Sequence, residues 1–531
     1  MHLYYQKLIF VLFVLITNLL LLFVFVIYPK LYCKEYSFQS LLYSNNNSEF
    51  VEENISCNII KYSLFGYYIL TLFVLILTLI ASYYIKFFKT KNPKDVLPFS
   101  NKSNILVFIP AYSENKDSLK KTLDSVVLNN YESESKCICL VVDGKIKGKD
   151  NDDYTYNYAK EILNTRINML DSNNKNELYI GLYKNVRYIL IVKKENKGKK
   201  DSFLIVQKLL YYNYMNEDAE DNLYYKNIIK KFTMCDINVG IIDYVLMLDT
   251  DTIVEASSIK ILADYLDSNP STLAVCGETS ITNTDDSLLS ASQYFEYYIT
   301  HYSLKSLESV YGDVLVLSGC FSLYRKNVLI NKELINFYEN ERIDSLYWAN
   351  ITKLGEDRLL TNLLLKYYPQ LNAKYTNKAI CYTDAPNNLN TLLCQRRRWT
   401  NSLIFCNLFL LLNLPKYALF KRFRFFTIIL LELWIVLYMP LLLTIGYYYI
   451  IIFFYKWSLG YYDLVGIIQT FVLLCFPIIM CIILRELKMI FYAFIFILTI
   501  PIFSIVIPIY SIYCSDYVKW GNTRRISEDS E

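Results

Sequence analysis

The sequence predicts an α/β domain, with a mostly parallel sheet covered by helices, set between groups of membrane-spanning helices. Three observations carry this. Apolar runs of spanning length stand at both ends of the 531 residues. Between them, short β-rich runs alternate with helical periods. The composition, 54% hydrophobic with a mean hydropathy of +0.23, is too apolar for a purely soluble chain.

Taken in order, Leu8–Tyr28 is the first apolar run, read as a retained anchor because a small-residue cleavage site is lacking and a second span follows. Residues 29–62 form a polar loop with sequons at Asn46 and Asn54 and cysteines at Cys33 and Cys57, all suited to the exoplasmic side. Leu64–Ile85 is the second span. Lys86, Lys89, Lys91 and Lys94 follow at once, and this positive-inside signal puts the N-terminus and the next domain in the cytoplasm. The expected organisation is an anchor over 1–88, a cytoplasmic domain over 89–401 and a second membrane region over 402–531.

Within the middle domain the expected strands are Ile105–Ile109, Cys137–Val142, Arg187–Val192, Tyr244–Leu248, Thr272–Cys276 and Val314–Leu317. Leu119, Leu123, Val126 and Val127 make one face of a helix between the first two. Two polar stretches, about 145–180 and 213–243, read as surface insertions. In the last region Ser402–Leu414 reads as interfacial, and Phe425–Phe454 and Leu464–Leu484 as spans. The stretch 490–513 carries Pro501 and Pro508 and reads as in-plane or re-entrant, which returns the tail to the cytoplasm.

Ligands in open α/β sheets gather at the carboxyl ends of the strands. Four successive strand ends here carry functional groups: Pro110, Tyr112 and Glu114; Asp143; Lys199 with Lys200 and Asp201; and Asp249 with Asp251 in MLDTDT. Two carboxylates two residues apart can hold Mg²⁺ or Mn²⁺ while a diphosphate fills the remaining positions. In LGEDR, Glu356 and Asp357 open a helical stretch. A carboxylate there is either a cap for the helix or a general base. Only two histidines exist, so a histidine-based triad is nearly excluded, and His301 reads as packed in a long aromatic helix. The small residues of SGCFSLYR let backbone approach a ligand closely. QRRRW, Gln395 to Trp399, is either a basic lipid-headgroup patch or a diphosphate clamp with an indole for a sugar face. The 13 cysteines show no CxxC pair, and the net charge of +4 gives no reason to expect nucleic acid.

The ordered set Asp143, DTD, CGET, FEYYITHYSLKSLESVYG, GCFSLYR, LGEDR, QRRRW and WGNTR (Trp520 to Arg524) resembles the chitin synthases. These are processive family 2 glycosyltransferases, and the division with a WGxTR ending is the most similar. The resemblance runs from about Asn104 to Arg525 and implies a catalytic domain of GT-A type. It implies that Pro110, Tyr112, Glu114 and Asp143 line a uridine pocket and that Lys199 approaches the nucleotide. Asp249 and Asp251 bind diphosphate and divalent metal. Gly319 and Cys320 edge the acceptor sugar. Asp357, beside Glu356, is the base. Gln395, Arg398 and Trp399 hold the diphosphate and the acceptor end, and Trp520, Thr523 and Arg524 form a gating segment. The implied partners are UDP-GlcNAc, the growing chitin chain and the bilayer, with a homo-oligomer among the assemblies allowed. The implied location is the plasma membrane, or vesicles in transit to it. Hyaluronan and cellulose synthases share DxD, ED and QxxRW but are not expected to share the CGET and SLESVYG stretches. A non-catalytic channel or scaffold subunit is the remaining alternative. No large N-terminal motor extension is visible, so regulation through one is not expected.

Overall fold

The computed structural model describes residues 2–24, 55–87, 103–149, 151–165, 168–170, 176–215, 220–234, 237–460, 467 and 470–519. The sequons, Cys33 and the WGNTR stretch lie outside them, and Cys57 is described only as part of a helix backbone.

Ten strands form one sheet: β1 (Asn104–Ala111), β2 (Lys136–Val142), β3 (Asn168–Leu170), β4 (Asn176–Tyr183), β5 (Val186–Lys193), β6 (Ile242–Leu248), β7 (Ile253–Val254), β8 (Thr272–Ile281), β9 (Phe321–Arg325) and β10 (Asn372–Thr383). Their order is β3-β4-β5-β2-β1-β6-β9-β8-β10-β7. The middle four, β5-β2-β1-β6, are parallel. Alternate residues of β1 enter opposite cores: Leu106 and Phe108 on one face, Ile105, Val107 and Ile109 on the other. Burial on both faces is why these strands read as unbroken apolar runs.

The sheet is mixed rather than mostly parallel, because β9 runs antiparallel to both β6 and β8. Val314–Leu317 is not a strand. It is irregular and fully buried, apart from a partly exposed Val316, and the next strand is Phe321–Arg325. An apolar run marks burial, and here burial comes without ladder pairing. β10 was not expected. Its sequence, NAKYTNKAICYT, mixes polar with apolar residues because several of its side chains are only half-buried. The two polar stretches read as insertions hold β3, β4 and the helices Thr155–Ile162 and Glu220–Met234.

Gly277 sits in β8 where a Cβ would lie 2.4 Å from the Phe321 ring and 2.5 Å from the Ala379 carbonyl oxygen. Both neighbours are buried, so Gly277→Ala must overpack the sheet. The expected loss is about 1–3 kcal/mol, read as a lowered thermal midpoint of the detergent-solubilised protein.

Among the described residues, four helical stretches are long and apolar enough to cross a membrane: His2–Leu22, Ile69–Phe87, Leu419–Tyr455 and Met489–Tyr513. Leu464–Leu484 lies partly outside the described residues, and Phe476–Ile483 within it is helical. In 490–513 the prolines do not break the helix: a π-helical segment, Ile502–Val506, lies between Met489–Pro501 and Ile507–Tyr513. QRRRW and Ser402–Leu414 lie on one helix, Leu389–Asn413, except for Leu414 just beyond its end. That helix runs straight through the boundary expected at 401. The first helix touches the α/β domain, where Gln6 accepts a 2.5 Å hydrogen bond from Leu346 N and Phe10 packs on Phe405. At the other anchor helix, Lys86 pairs with Glu486 at 2.5 Å.

Candidate active site

Because β5, β2, β1 and β6 are parallel, their carboxyl ends share one edge. That edge carries Lys193, Asp143, Tyr112 and Asp249. The antiparallel β9 pairs Phe321 with Leu248, so its amino end brings Gly319 and Cys320 to the same edge. A single cavity of about 1520 Å³ opens there. It is lined by Pro110, Tyr112, Glu114, Asp143, Lys199, Asp249, Asp251, Gly319, Cys320, Glu356, Asp357, Gln395, Arg398 and Trp399, which is every described residue expected at the site.

On the β1–β2 side, Glu114 accepts from Tyr112 N at 2.5 Å and so folds the IPAYSE turn back on itself. Asp143 accepts from Lys193 Nζ at 2.6 Å and from Lys197 N at 3.0 Å. Gly144 follows in the left-handed region, φ 86°, and a Cβ there would meet Asn196 N at 2.9 Å. The VVDG turn needs glycine on both counts. Lys193 was not singled out in the sequence. Buried and paired also with Asp201 at 2.5 Å, it fixes Asp143 from inside the last residue of a strand.

Lys199, after β5, lies at the centre of the site. It starts the helix Gly198–Met215 and reaches Asp249 at 2.5 Å, Glu356 at 3.5 Å and the Gly319 carbonyl at 3.0 Å. Burial opposes its charge, but Asp249, Glu356 and Asp357 outweigh that and hold the ammonium above the ordinary lysine value. Burial pushes the Glu356 carboxyl up, with Lys199 pulling the other way. Asp357 accepts from Arg358 N at 2.7 Å and from Gly319 N at 3.3 Å. A Cβ on residue 319 would stand 3.0 Å from Lys199 Nζ and 3.2 Å from Asp357 Cβ, so glycine is what lets these groups meet.

QRRRW divides by helical face. Gln395, Arg398 and Trp399, at i, i+3 and i+4, face the cavity. Arg396 bonds Glu296 at 2.6 Å and lies 4.2 Å over the Trp399 ring, so it also borders the cavity. Arg397 turns away and is 1% exposed. None of these three arginines is a lipid-facing surface group. A Cβ on Gly355 would lie 2.5 Å from Ser402 Cβ, so the Glu356–Tyr367 helix starts flush against the QRRRW helix. His301 stacks on Tyr297 at 4.7 Å as a packed ring, and it also borders the cavity. Burial, with Lys305 and Arg396 nearby, holds its pKa well below the ordinary value. It is therefore neutral at pH 7.

The cavity continues past Glu308 to Glu432, Ile435, Val436, Met439 and Leu443 of the Leu419–Ser458 helix and to Phe503, Ser504, Ile507 and Pro508. Glu308 accepts from Leu315 N at 3.0 Å. Burial first, and Glu432 second, raise its pKa to about 8, with Lys305 and Arg358 opposing. A carboxyl raised from 4.5 stays protonated in the fold while the unfolded chain ionises, so its contribution to stability falls as pH rises from about 4.5 to about 8. Glu308→Gln should match wild type near pH 4.5 and become the more stable of the two by pH 8. Thermal melts across that window test this, and parallel curves would refute it.

Paired carboxylates, a fixed lysine and an Arg–Trp helix thus meet at one sheet edge, in a cavity that reaches helices apolar enough to cross a membrane. Comparison with known proteins gives the family. The family model described as chitin synthase matches residues 80–187 and 188–531. Chitin synthase 6 of Pyricularia oryzae is 32% identical over 519 residues, covering 89% of this chain and 26% of the relative. Chitin synthase csmA of Emericella nidulans is 32% identical over 507 residues, covering 87% and 26%. The chain belongs to the chitin synthase family. It spans about a quarter of the length of the curated relatives it matches. Among solved structures, the mannosyltransferase PcManGT from Pyrobaculum calidifontis in complex with GDP-Man and Mn²⁺ matches 83% of this chain and 99% of its own at 13% identity and a TM-score of 0.42. S. aureus TarS 1-349 matches 62% and 71% at 12% identity and 0.33.

Proposed function

We propose that this chain transfers GlcNAc from UDP-GlcNAc to the 4-hydroxyl of a growing chitin chain, with inversion, forming β-1,4 links and passing the polymer into the membrane. One observation supports this most: a single cavity joins the strand-end residues to the membrane helices through the Asp249–Lys199–Asp357 centre.

In this reading Pro110, Tyr112, Glu114 and Asp143 receive the uridine. Asp249 and Asp251 hold a divalent cation, Mg²⁺ or Mn²⁺, which neutralises the diphosphate when bound. The donor set fits: two carboxylates lie at one strand end, and no third His, Cys, Asp or Glu completes a metal cluster among the described residues. The diphosphate and water must then supply the remaining ligands, as hard cations in phosphate sites accept. Arg398 offers fixed donors to the leaving diphosphate. Asp357 takes the proton from the acceptor hydroxyl, since Glu356 is the partner of Lys199. Gly319 and Cys320 edge the acceptor, and Trp399 supplies a flat face for its sugar, held by Arg396.

We also place the tail in the cytoplasm, with 490–513 in-plane or re-entrant and the enzyme in the plasma membrane. Support comes from both ends of that stretch. Glu486 pairs with Lys86 just before it, and after it Asn350 donates to Ser515 O at 3.0 Å. In sealed inside-in vesicles a C-terminal tag should resist added protease, and a tag cleaved from outside would refute the topology. The reaction itself is tested by incubating the purified protein with radiolabelled UDP-GlcNAc and digesting the product with chitinase. A chitinase-sensitive polymer is expected. A strict requirement for UDP-glucuronate would make it a different β-glycan synthase, and no polymer at all would favour a non-catalytic channel or scaffold.

A further inference from the structure

Arg397 points to a function of its own. It sits in the middle of QRRRW but on the helix face away from the cavity centre, and it is among the most buried large side chains of the protein. Its guanidinium donates through Nη1 to the Tyr517 carbonyl and through Nη2 to the Lys519 carbonyl, the latter at 2.7 Å. Its charge also lies 4.6 Å over the Tyr517 ring. The same tail is held at three further points: Asn401 donates to Ser511 O at 3.0 Å, Asn350 to Ser515 O at 3.0 Å, and Lys7 pairs with Asp516 at 2.9 Å. Val518 and Lys519, the residues that Arg397 secures, form part of the cavity wall.

We infer that Arg397 is a positioning residue that holds residues 515–519 of the tail as one wall of the transfer cavity. The guanidinium reaches the two carbonyls, two residues apart, through two separate nitrogens, so one buried cation satisfies both at once. Lysine keeps the charge, but it is shorter and must reach both carbonyls from a single nitrogen, so it holds residues 517 and 519 less firmly. The wall encloses bound donor in ground state and transition state alike. Its loss therefore raises KM more than it lowers kcat.

The kinetic half of this inference rests on the donor proposed above, and the tail half does not. The experiment uses the full chain in nanodiscs, as wild type, Arg397→Lys and Tyr517→Leu. The second variant keeps the buried arginine and removes only its stacking partner. Limited trypsin digestion, with the peptide released by cleavage after Lys519 quantified by mass spectrometry, reads the tail. Initial rates against UDP-GlcNAc give KM and kcat, and titration with UDP gives nucleotide binding. In Arg397→Lys, cleavage after Lys519 should be about tenfold faster and KM about tenfold higher, with kcat within about threefold. Tyr517→Leu should move both readouts in the same direction by less. Tail cleavage at the wild-type rate in Arg397→Lys, or a fall in kcat with KM unchanged, would overturn the inference. Wild type that neither binds UDP nor incorporates sugar would overturn the proposed function instead, while the cleavage rates would still decide whether Arg397 holds the tail.

Discussion

Asp357→Asn is expected to cut polymer synthesis by about a thousandfold or more while leaving UDP binding within about threefold of wild type. The substitution changes little but charge and basicity. An amide can still accept from Arg358 N, which lies 2.7 Å from Asp357 Oδ1. It loses only the 3.3 Å bond from Gly319 N. The start of the Glu356–Tyr367 helix should therefore stay in place, packed against Ser402. What disappears is the group proposed to take the hydroxyl proton. Glu356→Gln is the informative companion, because Glu356 balances Lys199 instead. It should weaken the charge arrangement without abolishing turnover. Synthesis by Asp357→Asn within about tenfold of wild type would remove the base assignment.

Lys199→Met should produce the second largest effect, a loss of about a hundredfold or more in turnover. Asp249, Glu356 and Asp357 are all held together by this one ammonium. Without it, burial and mutual repulsion raise Asp249 and Glu356 further, and at Glu356 only its backbone hydrogen bond and Arg398 still pull the other way. The carboxylates then protonate at higher pH, so the acidic limb of the kcat/KM profile should move upward. A profile unmoved in Lys199→Met would show that Lys199 acts elsewhere than on these carboxylates.

How much of this was legible in the sequence follows from physics. The four parallel strands were readable because both faces of their central residues are buried, which leaves apolar runs with charged residues only near the strand ends. The motif residues at their ends were readable because carboxylates and lysines directly after such runs have no packing reason to be there. Val314–Leu317 misled, since buried irregular chain and buried strand share a composition. β10 was missed because half-burial dilutes the pattern that marks a strand. Partners were the least readable. Nothing in local sequence joins Lys193 to Asp143 or Arg396 to Glu296. These pairs are set by sheet order and helix packing, which only the assembled fold defines. In QRRRW the resemblance already set Gln395, Arg398 and Trp399 apart, but not that Arg396 also borders the cavity while Arg397 turns away, which depends on packing around the helix.

The contact of the first helix with the rest of the protein also bears on biogenesis. Lys7 pairs with Asp516, Gln6 with Leu346 and Asn18 with the Leu437 carbonyl. Each of these partners leaves the ribosome hundreds of residues after the helix does. The helix must therefore wait, with these contacts unmade, until residue 516 has been synthesised. Such distant closure is slow and leaves apolar surface open meanwhile. This part of the fold should thus close late, and a ribosome stalled before residue 516 would hold a chain whose cavity lacks the wall formed by Val518 and Lys519.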